Sequence, residues 1–160
     1  MTEQPEERRE LTMEETEQLI GQLAQKLSGE KFDIWLLISR GGLSVGNMLA
    51  QLLKFYNITV FSLRWYDDQN QKMEHPQVLQ FPDEALLRDM RVLIIDDVWH
   101  TGDTICLARK KVIRAGGKPT IATLHYKPLQ STNDGQSDFY IEETDEWIEY
   151  PWETIVRRVM

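Results

Sequence analysis

The chain has 160 residues, 41% of them apolar, which suits one compact domain with a real core. Its formal net charge of -8 repels polyanions, and no apolar run is long enough to span a membrane. The single cysteine, Cys106, excludes an intrachain disulfide, and with His75, His100 and His125 it makes no zinc spacing.

The first ten residues, MTEQPEERRE, are polar and lack the apolar stretch of a secretory signal, so a cytoplasmic protein is expected. Thr12 and Glu15 have capping-box spacing, and Leu19, Ile20, Leu23, Ala24 and Leu27 follow at helical period up to Gly29. Phe32 to Ser39 reads as a strand, with a continuous apolar run that suits a sheet covered on both faces. Val45, Met48, Leu49, Leu52 and Tyr56 mark one face of a second helix, and Thr59 to Trp65 is a strand.

Tyr66 to Pro82 is poorly patterned and longer than most connections; it is expected to be a loop, either an open surface segment or a lid. Pro82 and Asp83 open a short helix through Met90, and Arg91 to Asp97 is the strongest strand. Ile105, Ala108 and Val112 continue as a helix closed by Gly116 and Gly117, with Cys106 as a small core residue. Arg109, Lys110, Lys111 and Arg114 fall near the end of that helix, where cations favour its dipole, so no nucleic acid partner is expected. Thr120 to Tyr126 is another strand. This alternation predicts an α/β fold with a largely parallel sheet flanked by helices. Ligands of such folds sit at the carboxyl ends of the strands.

The segment Val92 to Thr104, VLIIDDVWHTGDT, carries the most chemistry. An apolar strand ends in Asp96 and Asp97, and a loop with Thr101, Gly102 and Thr104 opens the next helix. Unpaired N–H groups at a helix start, a glycine that admits close approach and two hydroxyls make a nest for a phosphate monoester. The carboxylates suit sugar hydroxyls or a magnesium ion bridging to phosphate. Together they ask for a phosphorylated ribose. Earlier in the chain, Ser39-Arg40-Gly41-Gly42-Leu43 joins a strand to a helix; Arg40 offers a planar fork to phosphate oxygens.

On these residues the chain resembles the type I phosphoribosyltransferases, closest to the bacterial xanthine-guanine (6-oxopurine) enzymes. The match runs over roughly residues 32 to 153. It consists of the acidic pair with its Thr-Gly-x-Thr loop, the Ser-Arg-Gly-Gly-Leu string, and TDEWIEYPWE from Thr144 to Glu153. The resemblance implies one phosphoribosyltransferase domain over residues 1–160, with residues 128–160 forming a small C-terminal hood and tail. It implies transfer of a 5-phosphoribosyl group from 5-phosphoribosyl-1-pyrophosphate to a purine, with Mg2+ as cofactor and a homodimer or homotetramer as the assembly. Asp96 and Asp97 would serve the ribose, with Asp97 on the metal. His100, Thr101, Gly102, Asp103 and Thr104 would hold the 5′-phosphate; Arg40, Gly41 and Gly42 the pyrophosphate. Lys127 would meet the oxygen on purine C6, Trp147 would stack on the ring, and the Ile148 backbone would face its other edge. A non-proline cis peptide often found in that pyrophosphate loop transfers to Arg40-Gly41.

Two departures stand out. Trp65-Tyr66 replaces the usual Ser-Tyr of the catalytic loop, and His100 stands where 6-oxopurine enzymes carry an aspartate. Imidazole transfers protons near neutral pH but offers no permanent negative charge. Three readings follow: His100 is the acid or base, it only helps to hold the phosphate, or turnover is lost and the chain is a regulator of the same fold that binds phosphoribosyl pyrophosphate or a nucleotide. A receiver-like phosphoacceptor domain is a further alternative, but Arg40 occupies the strand end where such domains need another acid.

Overall fold

The structure is a computed structural model and describes residues 8–160; the first seven residues of the charged N-terminal stretch lie outside the described residues. Arg8–Glu10 form β1, followed by α1 (Met13–Leu27), β2 (Ile34–Ile38) and α2 (Gly41–Leu53). The capping box at Thr12 forms as expected: Thr12 Oγ1 accepts from Glu15 N at 3.1 Å, and Glu15 Oε2 accepts from Thr12 N at 2.7 Å. Such a cap is worth about 1 kcal/mol. Then come β3 (Ile58–Tyr66), β4 (Lys72–Gln80), α3 (Glu84–Leu87) and β5 (Arg91–Ile95). The chain continues through β6 (Val98–Trp99), α4 (Asp103–Arg114), β7 (Lys118–Ala122), β8 (His125–Tyr126), β9 (Glu142–Glu143), β10 (Trp147–Glu149) and α5 (Pro151–Val159).

The central sheet has the order β4-β3-β2-β5-β7, parallel except for the β3–β4 pair. Side chains of β2 alternate between two cores. Trp35 and Leu37 pack with α1 and α2, whereas Ile34, Leu36 and Ile38 pack with α4. Both faces are therefore covered, which explains why β2 and β5 read as unbroken apolar runs. From β2 the chain crosses through α2 to β3 on one side; from β5 it crosses through α4 to β7 on the other. The strand order thus reverses between the adjacent β2 and β5, and a crevice opens beyond their carboxyl ends.

Three sequence expectations change. The stretch from Tyr66 to Pro82 is mostly β4, an edge strand in antiparallel register with β3, closed by a turn in which Asp67 Oδ1 accepts from Gln69 N and Gln71 N. The strand expected over Thr120 to Tyr126 is broken: β7 ends at Ala122, and β8 joins a separate parallel sheet, β6-β8-β9. The C-terminal tail, expected as a hood with no helix assigned, holds the helix α5, started by Pro151 and by Glu153 Oε2 accepting from Tyr150 N at 3.0 Å. β1 also went unforeseen; it pairs in parallel with β10.

Candidate active site

Two loops meet at the crevice. The first, after β2, turns directly into α2 at Gly41 and Gly42. A cis peptide joins Ser39 to Arg40, one bond earlier than the expected Arg40-Gly41 position. A Cβ on Gly41 would lie 1.9 Å from Asp97 Oδ2, and one on Gly42 would lie 2.3 Å from the Ile95 carbonyl oxygen. Only residues without a side chain allow this loop to press against the end of β5. The second loop, after β5, carries the acidic pair and reaches α4 through Gly102, whose φ of 87° is left-handed.

Three cavities share walls here. The largest, about 610 Å³, is bounded by Arg40, Gly41, Trp65, Asp96, Asp97 and Glu153, among others. A small cup of about 130 Å³ lies over His100, Thr101, Gly102, Asp103 and Thr104. A third, about 110 Å³, lies between His100, Lys127, Trp147, Ile148 and Glu153. Asp97 borders all three. The cavities bring together the site residues singled out from the sequence except Gly42, which lines none of them and instead packs against the end of β5.

The cup is braced from two directions. Trp65 Nε1 donates to Thr104 Oγ1 at 3.0 Å, tying the β3–β4 hairpin to it. An indole N–H only donates, so the Thr104 hydroxyl keeps its own proton for another acceptor. Asn133 Nδ2 donates to Thr101 O at 2.9 Å and to Asp103 Oδ1 at 2.8 Å. In the third cavity Lys127 is only 3% exposed and its Nζ lies 5.4 Å from the centre of the Trp147 ring, while Trp147 itself is 40% exposed. A half-exposed indole beside a buried cation offers a flat ligand a face and a donor. His100 meets Trp147 edge-on at 6.2 Å and is hydrogen-bonded through Nε2 to Gln130 Oε1.

Burial raises the pKa of Asp97 to about 6, and the Glu153 charge adds to the effect. Asp96 is raised well above the usual carboxylate range by burial and then by the charge of Asp97. The buried indole N–H of Trp152 closes no hydrogen bond, yet it faces Asp97 and opposes part of this rise. Among the described residues no cluster supplies a complete metal cage. Magnesium does not require one: it binds through one or two carboxylates and completes its shell with water and substrate phosphate. Asp97 is a hard oxygen donor at the junction of the cavities, and a cation there would relieve the repulsion between it and Glu153, so a mode resting on one carboxylate fits.

Beneath the pair, Tyr150 Oη donates to Asp97 O at 3.1 Å and lies 2.8 Å from His125 Nδ1, and His125 Nε2 lies 3.2 Å from Glu142 Oε2. Burial, then the charge of Asp97, pushes the Tyr150 phenol well up, so it remains a donor. Tyr150→Phe leaves the fully buried His125 short of a partner and is expected to cost about 1–2 kcal/mol in denaturant titrations. A variant as stable as the parent would show that this chain of bonds is dispensable.

Glu153, Trp65, Gln130, Asn133 and Tyr150 received no role from sequence reasoning. Glu153 and Tyr150 lay inside the quoted TDEWIEYPWE string and Trp65 stood out as a departure; Gln130 and Asn133 gave no local signal.

A family model described as "Phosphoribosyl transferase domain" matches residues 10–156. The solved structure of a purine phosphoribosyltransferase from Pyrococcus horikoshii Ot3 is 30% identical, with 92% of this chain and 94% of that one covered and a TM-score of 0.77. A Helicobacter pylori xanthine-guanine-hypoxanthine phosphoribosyltransferase shares the fold at 16% identity (95% and 97% covered, TM-score 0.76). So does a hypothetical protein from Neisseria gonorrhoeae with bound ppGpp, at 23% identity (98% and 97% covered, TM-score 0.78). No curated protein matches the chain. With the acidic pair, the hydroxyl cup and the glycine loop gathered at one crevice of a largely parallel sheet, the chain belongs to the type I phosphoribosyltransferase family.

Proposed function

We propose that the chain transfers the 5-phosphoribosyl group of 5-phosphoribosyl-1-pyrophosphate to a 6-oxopurine, forming a nucleoside monophosphate and pyrophosphate. The observation that carries this reading is the meeting of three cavities at Asp97. Their linings match the three parts of the reaction: a cup for a terminal phosphate, a wide crevice for pyrophosphate and ribose, and an aromatic slot for a base.

The 5′-phosphate sits against Thr101 to Thr104, at the amide-rich start of α4. Arg40 and the N–H groups of Gly41 and Gly42 receive the pyrophosphate at the start of α2 and stabilise its charge as it leaves. Asp96 and Asp97 orient the ribose hydroxyls. Asp97 would hold magnesium, which when bound supplies positive charge to the leaving pyrophosphate. Trp147 stacks on the purine, the Ile148 backbone faces its edge, and buried Lys127 donates to the oxygen on C6. The hairpin, anchored by Trp65 to Thr104, limits water at the ribose carbon where positive charge develops.

The Pyrococcus relative is named as a purine enzyme, and the buried cation beside Trp147 favours a base with a carbonyl. Incubation with the donor, magnesium and hypoxanthine, guanine, xanthine or adenine should yield monophosphate from the oxo bases in preference to adenine. No product from any of them at high enzyme would rule the activity out.

The second reading is a nucleotide-binding regulator, motivated by His100 in place of an acid. It predicts saturable binding of nucleotides, ppGpp among the probes, without product. His100→Asp would then restore turnover.

A further inference from the structure

The hydrogen bond between His100 and Gln130 fixes more than a packing arrangement. Gln130 Nε2 donates to the backbone oxygen of Asp145 at 3.0 Å. A carbonyl oxygen only accepts, so the amide nitrogen must face Asp145 and the amide oxygen must face His100. Turned over, the side chain would set two oxygens against each other. Gln130 Oε1 meets His100 Nε2, and since an amide oxygen carries no proton, the imidazole must supply it. In its neutral form the ring is therefore the Nε2–H tautomer, and Nδ1 carries the lone pair.

The segment that presents Gln130 is well held. Leu129 N donates to Asp145 Oδ1 at 3.1 Å, Ser131 N donates to Lys127 O at 3.1 Å, and Trp99 Nε1 donates to Ser131 Oγ at 3.0 Å. Gln130 is thus fastened at once to the loop before Trp147, to Lys127 and to the strand before His100. His100 borders both the phosphate cup and the base slot, so the ring nitrogen left for a ligand there is Nδ1.

We propose that Gln130 is a positioning residue that fixes His100 as the Nε2–H tautomer, making Nδ1 the atom that takes the purine N7 proton during transfer. The proposal rests on the phosphoribosyl-transfer reading above. In the step, the N9 lone pair forms the bond to ribose C1, and the C1–O bond breaks with its electron pair leaving on pyrophosphate. The N7–H proton passes to His100 Nδ1. The imidazolium that results keeps its Nε2–H on Gln130 and later returns the other proton to water. Where relatives place a carboxylate, this chain would use an imidazole set in register by a neutral amide, 30 residues away in sequence.

Nitrogen NMR of the 15N-histidine-labelled full chain, with His100 assigned from the signal lost in His100→Asp, reads the tautomer directly. The parent should show Nε2 protonated and Nδ1 bare. Gln130→Met keeps the length but removes the acceptor; the ring should become a mixture of tautomers, and kcat should fall roughly 10–100-fold, the scale for losing a group that orients a histidine. The KM for the phosphoribosyl donor should hardly move. Gln130→Glu keeps an acceptor oxygen for Nε2–H and should keep Nε2 protonated, although its other oxygen then faces the Asp145 carbonyl; the parent spectrum alone decides the tautomer if the variants fail to fold. A parent ring protonated at Nδ1, or a tautomer unchanged in Gln130→Met, overturns the assignment even if the chain makes nucleotide. A parent protonated at Nε2 that makes no nucleotide instead overturns the transfer reading and leaves the tautomer assignment standing.

Discussion

Asp97→Asn should cripple turnover and yet make the ligand-free protein more stable above about pH 6. The two effects have one origin. In the folded chain Asp97 sits at about 6 because burial and the Glu153 charge disfavour its anion, against about 3.9 for an unfolded aspartate. Between those values the folded state binds more protons than the unfolded state, so stability falls as pH rises through that window and stays lower above it. Asparagine carries no charge to bury. The variant should match the parent near pH 3.5 and exceed it above pH 6. Asp97 keeps partial access to solvent along the cavity, so the gain is discounted to about 2 kcal/mol, or several degrees in melting temperature for a chain of this size. Magnesium with the phosphoribosyl donor should narrow the gap by stabilising the parent alone. Activity should drop on the order of 100–1000-fold, the scale for removing a group that stabilises developing charge. Melting curves at pH 3.5, 6 and 8, with and without donor and magnesium, check this. A variant that melts below the parent at pH 8 would show that Asp97 is satisfied in the empty site.

This trade also explains which parts of the protein could be read from sequence. The β5-loop-α4 unit was legible because its signals are local: an apolar strand buried on both faces, two acids at its end, and hydroxyls and a glycine at a helix start. The placement of Asp96 and Asp97 in a buried crevice follows from the reversal of strand order between β2 and β5, which alternating β and α elements already suggest. β4 was not legible. Its sequence KMEHPQVLQ is largely exposed, has no apolar alternation and contains Pro76, all tolerable on an edge strand whose neighbour supplies the register. The break after Ala122 was hidden inside an apolar run; it exists because Thr123 N turns to Phe139 O, a partner no local pattern announces. Gln130 lies 30 residues from His100 and gives no motif at all, so only folding reveals the pair. α5 has a legible start in Pro151, but the outward-facing Ile155, Val156 and Val159 obscure its buried face.

Adjacent glycines of the first loop should fail in different ways when given a methyl group. Gly41→Ala sets a Cβ 1.9 Å from Asp97 Oδ2, the end of a side chain that can rotate away. The fold should survive with a modest change in stability. The carboxylate, however, loses its place at the junction of the three cavities, so turnover should fall nearly as far as in Asp97→Asn. Gly42→Ala sets a Cβ 2.3 Å from the carbonyl oxygen of Ile95 and 3.1 Å from its carbonyl carbon. That oxygen belongs to the backbone at the end of β5, in the middle of the sheet, and cannot move without dragging the acidic pair and its neighbours in β2 and β7. A clash of this kind should cost about 3 kcal/mol, at the upper end for overpacked positions. Combining Gly41→Ala with Asp97→Ala should return part of the stability lost in Gly41→Ala alone, because the second change removes the atoms that the methyl displaces; residues in contact show such coupling. No variant of Asp97 should rescue Gly42→Ala, whose obstacle is main chain. Thermal melts of the four variants separate the cases, and equal losses for the two glycines would mean that the loop rests on β5 less tightly than the 2.3 Å approach requires.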